Sequence, residues 1–344
     1  MTKVQTTEEF FEDFKREVEN AKERIYIQTM NFEIGPRLLP LAQVLVKKAK
    51  EGVDVRITMD WVYKRYVGDD LRLLPLFNRE KRKYKERVHT ENERVIQELK
   101  DAGAHIEVVN KAYFLPFLVP IIGRNHKKIY IVDTKAAWLG GINFFDGSFY
   151  AVDFMVKFQD DSIIKKLVQE YFKIERHKHR EDVSVVLNSD MNLLLDSGKR
   201  GSSIIYQEAI DMVRRAKETI QFVSQLPPDG KLLEAIVGAV EKGIKVELYT
   251  SKETSRQFND FPYNTLYLHF QNRAKQYPGL RLNHLLDRLH AKLLIVDNKE
   301  ALFGSHNLVH LGVMLGTEEI AIKTKNVSLL TELSEFITKE LRSS

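Results

Sequence analysis

The chain contains no cysteine, which excludes disulfides, thiolate nucleophiles and cysteine-based zinc sites together and fits a reducing compartment. It also lacks any uninterrupted apolar stretch of about 18 residues or more, so nothing in it is expected to span a bilayer. The longest greasy run, YFLPFLVPII from Tyr113 to Ile122, is short and interrupted by Pro116 and Pro120. Net charge is scarce too. Lys and Arg total 53 against 48 for Asp and Glu, a formal +5 that suits anionic partners, lipid headgroups or nucleic acid, without choosing between them. The opening MTKVQTTEEFFEDFKREVENAK is charged throughout and has no apolar core of signal-peptide kind, which predicts a cytoplasmic location.

What is present is an ordinary globular composition, 43% hydrophobic and 29% charged over 344 residues. That length predicts two domains, or two halves fused about one core. An internal repeat favours the second arrangement. AKERIYIQTMNF (Ala21 to Phe32) is similar to AKETIQFVSQLP (Ala216 to Pro227), and EGVDVRITMD (Glu51 to Asp60) to KGIKVELYT (Lys242 to Thr250). In each copy an amphipathic segment, LLPLAQVLVKKAK or KLLEAIVGAVE, predicts a helix that glycine ends before an alternating strand. The third match sets HKKIYIVDTKAAWLGGIN (His126 to Asn143) against HAKLLIVDNKEALFGSHN (His290 to Asn307). Both read as strand, tight turn and strand, ending in a Gly-rich loop. The two related halves are expected to divide as 1–178 and 179–344, where HKHRED breaks a helix before VSVVL opens a strand. VSLLTELSEFITKEL reads as a closing amphipathic helix.

Both copies of the third match carry His-x-Lys-x4-Asp: His126, Lys128 and Asp133, then His290, Lys292 and Asp297. Gly140 and Asn143 follow the first at the same offsets as Gly304 and Asn307 follow the second. One copy is a weak signal; two with identical downstream spacing are not chance. Along a strand, His and Lys at i and i+2 share a face, so an imidazole and an ammonium converge on one anion. An Asn on a Gly-permitted turn adds an amide donor. Doubled about a two-fold axis, the set suits a phosphodiester. Lys and Asn neutralise the oxygens whose charge grows in the transition state, one imidazole attacks phosphorus, and the other protonates the leaving alcohol. Two ammonium groups already supply the charge, so neither a metal nor another cofactor is called for. A metal held by His126 and His290 is disfavoured because a cationic Lys stands two residues from each. Asp133 and Asp297 lie at expected turns, and turn stabilisation is as open for them as contact with substrate. His89, His105, His177, His179, His269 and His310 lie outside the repeated segments and read as solvated.

These residues resemble the phospholipase D superfamily, whose HKD motif is His-x-Lys-x4-Asp with Gly-Gly/Ser-x-Asn following, and the resemblance covers nearly the whole chain. It implies an α/β fold of two pseudo-two-fold-related phospholipase D-like lobes, each a mixed β-sheet flanked by helices, sharing one active site. It also implies a covalent phosphohistidine, resolved by water or an alcohol. Asp153 in YAVDFMVKF and Glu318 in GTEEIAI look like the acidic partners that orient the imidazole of the opposite motif, with Glu319 the weaker candidate for the second role. His126 is expected to be the nucleophile and His290 the acid. RNHKKIYIVD and GGINFFDGSF are most similar to bacterial cardiolipin synthases. They imply a phosphatidyltransferase or phospholipase D acting on anionic glycerophospholipid, attached peripherally to the membrane, with Tyr113 to Ile122 meeting lipid. The second motif lacks the usual Asp-x-Arg-Ser after its Asn, which leaves the acceptor open. The rival expectation is a nuclease, since superfamily members with the same pairs cut DNA or RNA. In that reading Lys81, Arg82, Lys83, Lys85 and Arg87 grip a phosphate backbone; a solvated helix face is the plainer account of that run.

Overall fold

Two short runs, IYIV and LLIV, are apolar at every position, the pattern of strands buried on both faces. In the computed structural model, which describes residues 2–61, 79–110, 123–175, 181–251, 261–280, 282–285 and 288–342, each is the middle of a mixed sheet. The N-terminal half runs β1 (Thr2–Thr6), α1 (Thr7–Asn20), β2 (Arg24–Thr29), β3 (Phe32–Glu33), α2 (Leu39–Lys50), β4 (Asp54–Asp60), α3 (Arg79–Asp101), β5 (His105–Val109), β6 (Ile129–Val132), β7 (Ala136–Gly140), β8 (Phe144–Phe145), β9 (Ala151–Val152), β10 (Phe154–Phe158) and α4 (Asp161–Glu175). The C-terminal half runs β11 (Val183–Asn188), β12 (Met191–Leu195), α5 (Ile204–Arg215), β13 (Thr219–Val223), α6 (Gly230–Glu241), β14 (Lys245–Ser251), α7 (Phe261–Ala274), β15 (Leu282–Leu285), β16 (Arg288–Leu289), β17 (Leu293–Val296), β18 (Glu300–Gly304), α8 (His310–Leu315), β19 (Ile320–Thr324) and α9 (Val327–Phe336).

The strand orders are β1-β10-β7-β6-β2-β4-β5 and β11-β12-β19-β18-β17-β13-β14-β15. Apart from the added edge strand β11, the second order repeats the first. Within each, three parallel strands (β2, β4, β5 or β13, β14, β15) meet an antiparallel set through β6 or β17. The helices expected from the repeated amphipathic segments are α2 and α6. Gly52 and Gly243, each at positive φ, close their C-terminal ends as the left-handed residue that glycine supplies without strain. The expected division near residue 178 falls within 176–180, and Tyr113 to Ile122 lies within 111–122; both are outside the described residues. The basic run opens α3, and of its members only Arg87 has a described side chain, which is exposed.

Alternation distributes the side chains. Ile129 and Ile131 of β6 face a core shared with Leu293 and Ile295 of β17, while Tyr130 and Val132 face α1 and α2, and Leu294 and Val296 face α5 and α6. The order is thus helices, sheet, shared core, sheet, helices, with α4 and α9 contributing Leu167, Tyr171, Leu333 and Phe336 to the shared core. No helix among the described residues is long and apolar enough to cross a membrane. Because β6 runs antiparallel to β2, the segment that enters β6 sits at the carboxyl ends of the parallel strands. The same holds for β17 against β13, so both His-x-Lys segments lie at the edge where open α/β sheets gather their ligands.

Candidate active site

Each His-x-Lys segment is stitched to the opposite half by main-chain hydrogen bonds. The His126 N–H donates to the Glu318 carbonyl (2.8 Å), next to a parallel bridge between Asn125 and Glu318. In the other half the His290 N–H donates to the Val152 carbonyl (2.9 Å), beside the parallel pairing of β9 and β16. The ends of β4 and β14 hold the incoming chain. Buried Asp60 accepts from the Asn125 N–H (2.7 Å) and the Arg124 guanidinium (3.0 Å), while the Ser251 hydroxyl bonds both the N–H and the carbonyl of Leu289 (2.8 Å each).

That stitching makes Glu318 the equivalent of Val152, and therefore Glu319 the equivalent of Asp153. The side chains agree. His126 Nδ1 lies 2.9 Å from Glu319 Oε2, and His290 Nδ1 lies 2.6 Å from Asp153 Oδ2. Each pair joins one half to the other, and because an ionised carboxylate only accepts, each Nδ1 carries the proton and Nε2 is left for chemistry. Glu318 is not the orienting acid that its spacing from Asn307 suggested. Its own N–H donates to the Arg124 carbonyl and its carbonyl accepts from His126, while its carboxylate meets the buried Lys127 ammonium (2.5 Å) rather than a motif imidazole. The helix α8 makes the stretch from Asn307 two residues longer than that from Asn143, so counting from Asn gave the wrong acid. Aligning the strands FMVKF and IAIKT gives the right one.

Lys128 and Lys292 are 0% and 1% exposed, and each ammonium reaches back to the carbonyl of its own motif histidine. Their fields cross between the halves. Burial presses the His126 imidazole below its ordinary pKa, and although Glu319 opposes this, the ammonium groups of both Lys128 and Lys292 add to it. Burial lifts the Asp153 carboxyl to about 6 against the pull of the same two ammonium groups. The Glu319 carboxyl, raised by burial, is carried below the usual range by His126, His306 and Lys128. Both lysines thus act on acid–imidazole pairs belonging to both halves, which makes one cluster of the two motifs. Two desolvated cations in such a cluster favour an anion.

Asn143 and Asn307 occupy matching places. Thr29 Oγ1 donates to Asn143 Oδ1 (3.2 Å), and Ser224 Oγ donates to the Asn307 carbonyl (2.7 Å). Thr29 ends β2, and Ser224 directly follows β13, so both asparagines sit at the ends of the strands that flank the motif strands β6 and β17. Sequence reading attached no role to Ser305, whose hydroxyl donates to the Glu319 carboxylate where the first half has Gly141. It also gave none to His306, a buried imidazole that burial presses to about 4. His89 and His310 are half-buried rather than solvated, whereas His105 is exposed.

Asp133 and Asp297 are held in the turns that close the motif strands, at the opposite end from the motif histidines. Strand geometry of about 3.3 Å per residue puts each roughly 16 Å along the chain from its Lys. The Asp133 carboxylate accepts the N–H groups of Lys22, Glu23 and Arg24 (2.8 to 3.3 Å), and Asp297 accepts those of Lys217, Glu218 and Thr219 (2.8 to 3.2 Å). Each aspartate sits in the left-handed region, at φ 52° and 54°, and pins the start of β2 or β13. Asp133→Asn is expected to lower unfolding free energy by about 1–3 kcal/mol with turnover per folded molecule unchanged. Burial raises the Asp133 carboxyl, but three backbone N–H groups carry it below its ordinary value. Its contribution to stability is therefore full above about pH 4 and is lost as pH falls through the lowered folded value. Urea unfolding of wild type and variant should converge towards pH 2; a gap that widens there contradicts the assignment.

The family model described as "Cardiolipin synthase, PLD-like domain" matches residues 14–175 and 209–341. The major cardiolipin synthase ClsA of Bacillus subtilis (strain 168) is 24% identical over 323 residues, 87% of this chain and 60% of its own. The minor cardiolipin synthase ClsB of the same strain is 20% identical, over 96% of this chain and 77% of its own. The chain thus spans 60% of the length of the first of these relatives. Among solved structures, phosphatidylserine synthase of Haemophilus influenzae Rd KW20 superposes with a TM-score of 0.71 at 14% identity, covering 98% of this chain and 85% of that one. This likeness establishes the fold.

Proposed function

The chain belongs to the cardiolipin synthase, PLD-like domain family, and on that premise we propose that it transfers or hydrolyses the phosphodiester of an anionic glycerophospholipid through a covalent phosphohistidine. The observation that carries the reading is the crossed arrangement of His126 with Glu319 and His290 with Asp153, with both motif lysines acting on the two pairs. His126 is the nucleophile. Its lowered pKa keeps the imidazole neutral near pH 7, and Glu319 holds the proton at Nδ1, so the Nε2 lone pair attacks phosphorus. The phosphorus–oxygen bond to the leaving alcohol breaks, and His290 gives that oxygen its proton. An acceptor alcohol or water then loses its proton to His290 and attacks phosphorus, and the phosphorus–nitrogen bond breaks. Lys128, Lys292 and the amides of Asn143 and Asn307 hold the non-bridging oxygens.

The acylglycerol phosphodiester is taken from the likeness to the cardiolipin synthases; the protein is proposed to act at the membrane surface. Vesicles of phosphatidylglycerol, incubated with the protein and EDTA, should release glycerol and yield cardiolipin or phosphatidic acid, according to whether an alcohol or water is the acceptor. Cutting of an oligonucleotide with the vesicles left intact would replace this reading by nuclease activity.

A further inference from the structure

Strand direction fixes which parts of the chain surround the site. β6, β10, β17 and β19 all begin at the site end of their sheets, because β6 and β17 run antiparallel to β2 and β13, β7 and β18 reverse them, and β10 and β19 reverse again. The segments leading into these strands therefore form the rim. Two of the five exposed large apolar side chains among the described residues stand there, at related places in the two halves. Tyr150, 74% exposed, lies two residues before Val152, whose carbonyl accepts from His290. Met314, 52% exposed, lies four residues before Glu318, whose carbonyl accepts from His126.

A cationic loop packs beside Met314. Between β12 and α5 the chain reads DSGKRGSS, and its Gly201 N–H donates to the Val313 carbonyl (3.0 Å). Gly198 lies so close to the Glu318 side chain that a Cβ there would come within 2.9 Å of it, and Gly316 lies as close to Arg200 and the Gly198 carbonyl. The loop is thereby fixed against the segment that supplies Glu318 and Glu319. Lys199 and Arg200 at its tip are exposed, and neither forms an ion pair with a carboxylate among the described residues.

Exposed apolar side chains flanking a site, with cations beside them, complement the surface of an anionic bilayer: the apolar groups enter the headgroup boundary and the cations meet lipid phosphates. We propose that this rim is a membrane-docking face, with Tyr150 and Met314 as its apolar contacts and Lys199 and Arg200 as its anionic-lipid contacts. The inference rests on the phospholipid reading above. It gives that reading a geometry, since a lipid phosphodiester at the bilayer surface then lies in front of His126 and His290.

The test compares wild type with Tyr150→Asp/Met314→Asp and with Lys199→Glu/Arg200→Glu. Sedimentation measures binding to vesicles of phosphatidylcholine, with and without phosphatidylglycerol, and turnover is followed on a short-chain phosphatidylglycerol below its micelle concentration. Each double variant should bind phosphatidylglycerol-containing vesicles at least about tenfold more weakly, with turnover of the monomeric lipid and the unfolding midpoint unchanged. The charge variant should lose its difference from wild type on pure phosphatidylcholine. Val327→Asp is the control, because Val327 is 76% exposed but follows the far end of β19; its binding should match wild type. Wild-type binding by both double variants overturns the docking face while leaving the catalytic reading intact, and so does equal loss on monomeric and vesicle lipid. Failure of the wild type to turn over the monomeric lipid overturns the catalytic reading instead, and vesicle binding still decides the docking face.

Discussion

Replacing His126 by Ala or by Asn is expected to lower turnover by at least about a thousandfold, because in the proposed mechanism the covalent step runs through its imidazole. The two substitutions separate chemistry from architecture. Ala leaves the buried Glu319 carboxylate without its imidazole partner, whereas Asn keeps a donor within reach of it. A loss caused by disturbed packing should therefore be smaller for Asn, and a loss of nucleophile should be equal for both. Free imidazole has room to restore part of the rate in the Ala variant only. The same pair reads the intermediate directly: lipid labelled in its phosphate should leave acid-labile, base-stable label on the wild-type protein and none on His126→Asn. Turnover within tenfold of wild type in both variants removes His126 from the mechanism. Label retained on His126→Asn but lost from His290→Asn reverses the roles of the two histidines.

The repeat was legible in the sequence because it is written in side-chain alternation and turn chemistry, both local. IYIVDTK and LLIVDNK each specify a doubly buried strand and an Asp-led turn, and β6 and β17 follow from them directly. The placement of the motif histidines and lysines was equally legible, since residues two apart on one segment share a face. What was not legible depended on pairing between the halves. Whether Glu318 or Glu319 meets His126 is decided by which carbonyl accepts the His126 N–H, a long-range register that spacing along one chain does not report. The two motif aspartates show the same limit from the other side. Their fixed spacing from His and Lys left substrate contact and turn stabilisation equally open; a strand separates each from its Lys, and each carboxylate is held by the turn it closes.

Glu319→Gln is expected to cost about ten-thousandfold in turnover, the loss seen when the acid that orients a catalytic imidazole is neutralised. Glu318→Gln, one residue away, should leave turnover per folded molecule nearly unchanged. It leaves the buried Lys127 ammonium without its counter-charge, so its effect should appear as a lower urea midpoint. The pH profile supplies an independent sign. Burial lowers the His126 pKa and the Glu319 charge opposes that, so removing the charge lowers it further. The acid limb of kcat/KM, where the nucleophile must lose its proton, should then move to lower pH even as the rate falls. Loss of fold or of substrate binding gives no reason for that shift. A larger loss of turnover in Glu318→Gln than in Glu319→Gln, or an acid limb displaced to higher pH, would return the orienting role to Glu318 and break the equivalence with Asp153. Ser305 provides a graded version of the same experiment. Its hydroxyl donates to the Glu319 carboxylate, so Ser305→Ala frees that oxygen, strengthens the attraction of Glu319 for a protonated His126, and should move the acid limb in the opposite direction, to higher pH.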